Sequence, residues 1–115
     1  MVEVIATDEF KSWYDELDGS ASDDVDAVVE ALASGGTALG FPYSSAIMGA
    51  SFALRELRIQ SKGHPLRVFY AFDPKRQAVL LIGGDKTGNK RFYETMTRVA
   101  TQIWKEYLNE TAQVE

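Results

Sequence analysis

Positively charged residues recur in the second half of the chain, beside a few aromatic residues. Arginine is always charged, and its planar fork of donors matches a phosphate group, so neighbouring arginines favour contact with a nucleic-acid backbone. Such residues could also stabilise the charge that builds on phosphorus when a ribose 2′-OH attacks the adjacent phosphate. A lysine, tyrosine or carboxylate could carry out the proton transfers of that reaction. The candidates are Arg55, Arg58, Arg67, Lys86, Lys90, Arg91 and Tyr93.

One stretch, LLIGGDKTGNKRFYE (residues 80–94), has the outline of a phosphate-binding loop. Two of its glycines stand five residues apart, as in a P-loop, but Asn89 and Lys90 occupy the positions of the required lysine and hydroxyl. We therefore exclude a P-loop. A helix N-terminus beside Lys86 could still offer free N–H groups to phosphate. The alternative is a glycine-rich turn with solvated lysines.

Composition predicts one ordinary globular domain. The chain has 115 residues, of which 45% are hydrophobic and 25% charged. It has no cysteine and one histidine, which excludes disulfides and leaves little scope for a zinc or iron site. We expect no metal and no cofactor. No long apolar run or signal peptide is present, so we expect a cytoplasmic protein without membrane contact.

The charge is unevenly distributed along the chain. The net charge is −5, yet residues 1–34 hold ten acids and one base, whereas residues 35–105 hold eleven bases and four acids. A protein of this kind can present a positive face despite its acidic balance. The alternative is that the charges lie on solvated helix faces.

The periodicity of apolar residues predicts an α+β fold in the order β-α-α-β-β-β-α. Short loops between the last three strands indicate hairpins, so we expect a small antiparallel sheet with helices packed on one face. Residues 1–109 would form the domain and residues 110–115 a frayed tail. We expect Ser22 to cap the second helix and residues 37–53 to form a connecting loop. The predicted strands are 3–7, 53–59, 65–73 and 78–85, and the last helix runs from 89 to about 109.

Strand alternation places Glu56 and Arg58 on one face and Arg55 with Leu57 and Ile59 on the other. Basic residues from three neighbouring strands can still converge, because the strands lie about 5 Å apart. If all helices cover one face, the other is open to an RNA backbone. Tyr70, Phe72 and Tyr93 could then stack on bases, although a place in the core is the favoured interpretation of the first two.

The segments LRELRI, LRVFYAFDPKRQAVLLIGGDK and the final helix together resemble the phage Gp49-like branch of HigB toxins, within the RelE/ParE toxin superfamily. The resemblance extends from about Val2 to Leu108 and is strongest in residues 54–93. It implies a RelE-like fold and the toxin of a bacterial type II toxin–antitoxin system. Toxins of this kind cleave mRNA in the ribosomal A site without metal.

The resemblance also implies partners and site residues. The partners are the ribosome with its mRNA and a helix-turn-helix antitoxin, with a toxin–antitoxin heterotetramer as a family expectation. Arg58 and Arg67 match basic positions in the family's strands, Lys86 matches the lysine after the last strand, and Tyr93 matches a C-terminal aromatic. Some members use a C-terminal histidine, which this chain lacks, since His64 lies in a predicted hairpin turn.

Three functions are consistent with these observations. The first is a ribosome-dependent mRNA endonuclease, with Arg58, Arg67, Lys86 and Tyr93 as catalytic residues and Arg55, Lys90 and Arg91 on flanking RNA. The second is a ParE-like toxin that binds a protein such as DNA gyrase. The third is a catalytically silent member kept for its antitoxin. The acidic first helices are a candidate surface for ribosome or antitoxin.

Overall fold

The computed structural model describes residues 1–114, which form one mixed sheet with helices on both sides. The sheet order is β1-β5-β4-β3-β2, with β1 parallel to β5 and all other neighbours antiparallel. The α+β class and the predicted order of the main elements are confirmed. The strands are β1 (Val4–Ala6), β2 (Ser44–Ala46), β3 (Arg55–Ser61), β4 (His64–Phe72) and β5 (Ala78–Asp85).

The predicted hairpins are present because their turns suit the chain. Lys62 and Gly63 join β3 to β4 with φ angles of +49° and +81°. Both positive angles give the tight two-residue turn that matches strand twist. Between β4 and β5, the Asp73 carboxylate accepts the backbone N–H groups of Lys75 (3.0 Å) and Gln77 (2.9 Å) and so orders the longer turn.

The helices are α1 (Asp8–Asp15), α2 (Gly19–Gly35) and α3 (Phe92–Val114), and a 3₁₀ turn follows α2 at Gly36–Ala38. Thr7 caps α1, since its hydroxyl oxygen accepts the N–H of Phe10. Ser22 does not cap α2. The Asp18 carboxylate accepts the N–H of Ala21 at 2.8 Å, so the helix begins four residues earlier.

The expectation that all helices lie on one face is wrong. Helices α1 and α2 pack on one face through Phe10, Val25 and Leu32. Helix α3 packs on the other face, mainly against β5 and β4. It therefore leaves the β3–β2 side of its own face only partly covered. The accessible part of the sheet is limited to the β3–β2 side of the α3 face, where Ser45 and Arg58 are partly exposed.

Two adjacent glycines near the end of β5 allow helices to approach from both sides. A Cβ on Gly83 would collide with the ring of Trp13 in α1, and one on Gly84 would lie 2.9 Å from the ring of Phe92 in α3. These glycines thus allow the two helices to pack closely against the sheet.

Helix α3 continues to Val114 instead of ending near Asn109. The expected tail is therefore helical as far as Val114. Glu115 lies outside the described residues.

Residues 37–53 contain a short strand that the sequence analysis missed. Strand β2 pairs antiparallel with β3, and the pairing continues one residue earlier, where Arg58 donates its N–H to the carbonyl of Tyr43 at 2.8 Å. This makes β2 the sheet edge beside the uncovered surface.

Candidate functional site

The sheet register brings the predicted strand residues into one row on the α3 face. Arg58 of β3 lies opposite Arg67 of β4, and Arg67 lies opposite Gly84 of β5. Because directly paired residues point to the same face, the two arginines are side by side. In the next row, Glu56 of β3 lies opposite Ser45 of β2.

A buried carboxylate, Glu56, is the centre of the site. The residue is 4% exposed. Its Oε1 accepts the phenol O–H of Tyr93 at 2.8 Å and lies 3.4 Å from Arg67 Nε. Its Oε2 accepts Ser45 Oγ–H at 2.8 Å and Arg58 Nη1–H at 3.2 Å. Both oxygens are thus engaged, and two guanidinium groups compensate a charge that burial alone would make costly.

Arg67 is held from several sides. It is 5% exposed, its Nε–H also donates to Tyr93 Oη at 3.3 Å, and its Nη1–H donates to the carbonyl of Leu66 at 3.0 Å. Such a guanidinium has a fixed orientation, which suits recognition of a charge that appears during a reaction.

Arg58 and Lys86 are partly exposed cations next to the cluster. The Arg58 side chain is 31% exposed and lies over the ring of Phe41, 5.2 Å from its centroid. Lys86 follows β5, and its Nζ lies 5.4 Å from the centroid of the Tyr93 ring. Both side chains can reach a phosphate beside the buried cluster of Glu56, Arg67 and Tyr93.

The environment of Tyr93 decides its protonation. Burial first, and then its hydrogen bond to the Glu56 carboxylate, raises the pKa of the Tyr93 phenol. The phenol is therefore protonated at neutral pH. It can donate a proton or a hydrogen bond, and it is a poor general base.

Lys90 and Arg91 lie outside this cluster. Both are exposed just before α3, where the Asn89 side chain accepts the N–H of Arg91 at 3.0 Å. Their position is consistent with contact to the backbone of flanking RNA. It is not consistent with a role in chemistry beside Glu56.

Arg55 is placed on the opposite face, as strand alternation predicted, and is separated from the other candidates by the sheet. Its Nε–H donates to Ser44 Oγ (3.1 Å) and Tyr70 Oη (3.3 Å). Tyr70 is fully buried, so it is a core residue and not a stacking surface. The structure does not bring Arg55 together with Arg58 and Arg67.

His64 and Asp85 form a separate contact where β4 begins and β5 ends, on the sheet face opposite the cluster. His64 Nδ1 lies 2.9 Å from Asp85 Oδ2. The pKa of the Asp85 carboxyl is lowered, first by the hydroxyl of Thr87, which donates to it at 2.6 Å. This arrangement orders the loop after β5. It does not place an imidazole in the cluster.

Two open cavities border the cluster. One, of about 500 Å³, is lined by Ile47, Met48, Glu56, Tyr93 and Glu94, among others. The other, of about 350 Å³, is lined by the 41–43 segment together with Arg58 and Arg67. The first carries two carboxylates and the second carries two guanidinium groups, so an anionic ligand fits the second.

Comparison with known proteins decides the family. The family model described as "Phage derived protein Gp49-like" matches residues 12–105. This chain belongs to that family. It is 36% identical over 107 residues to a Mycobacterium tuberculosis (strain ATCC 25618 / H37Rv) protein provisionally named toxin HigB3, covering 91% of this chain and 92% of that protein. It is 34% identical over 100 residues to one from the same organism provisionally named toxin HigB2, covering 84% of this chain and 50% of that protein.

The resemblance stated on residues 54–93 is thereby confirmed. In this Gp49-like chain, sequence reasoning placed Glu56 on the face of Arg58 but did not include it in the site. A usable signal was present, since an acid between two arginines in an otherwise apolar strand pattern predicts a buried ion pair. Ser45 carries no such signal, because it lies in a segment whose glycine, proline and serine residues predict a connecting loop.

Within residues 1–114, no three His, Asp or Glu side chains are grouped so that they could hold a metal ion. No helix over the same residues is long and apolar enough to cross a membrane.

Proposed function

We propose that this chain is the toxin of a bacterial type II toxin–antitoxin system and that it cleaves mRNA on the ribosome in the cytoplasm. The family membership and the HigB names of two relatives support the toxin role. One observation carries the nuclease role. A buried carboxylate holds two arginines and a protonated phenol at the edge of a partly open sheet surface.

In the proposed reaction, the ribose 2′-oxygen attacks the adjacent phosphorus while its proton passes to a solvent water, and the bond from phosphorus to the 5′-oxygen breaks. Arg58 and Lys86 contact the phosphate, since they are partly exposed and lie against Glu56 and Tyr93. Arg67 stabilises the charge that develops on its oxygens. Tyr93, protonated at neutral pH, donates a proton to the leaving oxygen.

Glu56 positions these groups and does not itself take the 2′ proton. Ser45, Arg58, Arg67 and Tyr93 already engage both of its oxygens, which leaves neither oxygen free for the 2′-hydroxyl. Its contribution is to hold Arg58, Arg67 and Tyr93 in one geometry, which is a large part of catalysis by fixed charges.

A cognate helix-turn-helix antitoxin is the proposed neutralising partner, in a toxin–antitoxin heterotetramer. A catalytically silent member remains the second candidate, and one observation favours it. Arg67 and Glu56 satisfy each other inside the fold, as a purely structural ion pair would.

Controlled expression with mapping of mRNA 5′ ends during growth arrest separates these functions. We expect cuts within translated codons that disappear in Arg58→Ala and Lys86→Ala. They should persist in Lys105→Ala, a matched loss of one exposed charge on α3. Arrest with intact mRNA and a DNA-damage response would indicate a gyrase-binding toxin, and the absence of arrest would indicate a silent member.

A further inference from the structure

An exposed aromatic segment lies directly beside the accessible arginine. Phe41 and Tyr43 are 76% and 51% exposed, although large apolar side chains normally avoid water. They flank Pro42 in the segment before β2, on the edge of the sheet that α3 leaves uncovered. Neither the proposed chemistry nor the fold accounts for their exposure.

The backbone of this segment is held in place. The carbonyl of Gly40 accepts the N–H groups of Tyr43 and Ser44, both at 3.1 Å, and the carbonyl of Tyr43 accepts the N–H of Arg58 at 2.8 Å. Since Tyr43 continues the pairing of β2 with β3, its side chain points to the same face as Arg58. The backbone that carries the two rings is therefore held beside the site.

Charge and shape indicate what occupies this surface. The Arg58 guanidinium already lies over the Phe41 ring, so the ring accepts a flat, electron-poor partner. The 350 Å³ cavity joins both rings to Arg58 and Arg67, and none of its lining residues, all within 1–114, is acidic. That size is at the lower end for a small-molecule site. Flat apolar surface beside paired cations is the combination that binds a base together with its phosphate.

We infer that Phe41 and Tyr43 form an aromatic platform that stacks on a nucleobase of single-stranded RNA while Arg58 holds the adjoining phosphate. This inference rests on the proposed function and assigns the nucleotide position next to the scissile bond. Every base has a flat face, so the platform accepts any base and adds affinity with little sequence preference.

The test measures the equilibrium binding of an RNA hexamer at one fixed salt concentration. All riboses of the hexamer are 2′-O-methylated, so the protein cannot cleave it. We expect Phe41→Leu/Tyr43→Leu to weaken binding roughly tenfold. Phe41→Trp should bind as the wild type does, because it keeps an aromatic face. Met48→Leu, which changes an exposed side chain of the other cavity, is the matched control and should also bind normally.

The decisive comparison uses an abasic hexamer, which has the same sugar–phosphate backbone but no bases. Wild type and the double leucine variant should bind it equally, since no base can stack. An unchanged affinity of the double variant for the intact hexamer would overturn the inference, as would a wild type that does not bind the hexamer. A double variant that binds RNA normally but loses its antitoxin would assign the surface to protein contact and also overturn it.

The two proposals fail in different ways. If the platform is required for hexamer binding but the wild type leaves mRNA intact in cells, the nuclease function is wrong and the binding site stands. If the double leucine variant binds the hexamer and cleaves mRNA as the wild type does, the platform is wrong and the nuclease function stands.

Discussion

At the scale of single residues, the site depends on one buried ion pair. Glu56 and Arg67 are both nearly inaccessible, and each would be a costly isolated charge without the other. Alternation along LRELRI placed Glu56 and Arg58 on one face and Arg55 on the other, as the structure confirms. Sequence did not show that Tyr93 reaches the same carboxylate, because that contact spans 37 positions and depends on where α3 lies.

Replacing Glu56 tests this dependence. Glu56→Gln keeps the size and one acceptor oxygen but leaves the Arg67 guanidinium buried without its counter-charge. We expect the free energy of unfolding in urea to fall by about 3 kcal/mol. Glu94→Gln, which removes an exposed carboxylate from the same cavity, should change it by less than about 0.5 kcal/mol.

Adding Arg67→Leu to Glu56→Gln should restore part of the lost stability, since the uncompensated cation is then gone. If Glu56→Gln unfolds at the same urea concentration as the wild type, the ion pair is not what holds the site together.

At the scale of elements, local sequence signals predicted the hairpins and the helices, but they missed strand β2 and misplaced the start of α2. Turn residues identified the β3–β4 and β4–β5 connections, and apolar spacing identified the three helices. Strand β2 was missed because SSA is short and lacks β-branched residues. The start of α2 was misplaced because Asp18 and Ser22 are both good capping residues, and only the fold decides between them.

Helix α3 is anchored at its far half by Tyr107, whose phenol donates to Asp73 Oδ2 at 2.8 Å. Burial, followed by this carboxylate, raises the pKa of Tyr107 to about 12, from an ordinary value of 10.0. The folded state therefore holds the phenolic proton more tightly than the unfolded state does. The resulting stabilisation is complete below pH 10 and is lost as the pH rises toward 12.

We expect the difference in melting temperature between the wild type and Tyr107→Phe to shrink as the pH rises from 9 to 12. Thermal unfolding followed by circular dichroism across this range measures it. Asp73→Asn should show the same convergence, because it removes the carboxylate that raises the phenol's pKa. A difference that stays constant with pH would contradict the anchoring role of the Tyr107 proton.

At the scale of the whole molecule, the sheet separates the two kinds of charge that the sequence segregates. Helices α1 and α2, which carry most of the acids of residues 1–34, lie on one face, and Arg58, Arg67 and Lys86 lie on the other or at its edge. Composition predicted such a polarised molecule. It did not predict helices on both faces, because the periodicity of α3 shows that one side is apolar but not which face of the sheet it covers.

The central claim is metal-independent cleavage of mRNA by this chain on the ribosome. The direct measurement adds purified protein to a reconstituted translation reaction and determines the chemical ends of the mRNA fragments. We expect cuts within the codon at the ribosomal A site that leave a 2′,3′-cyclic phosphate and a 5′-hydroxyl. The rate should fall roughly 100-fold in Arg58→Ala and not in Lys105→Ala. Intact mRNA on ribosomes exposed to the wild-type protein would contradict the account.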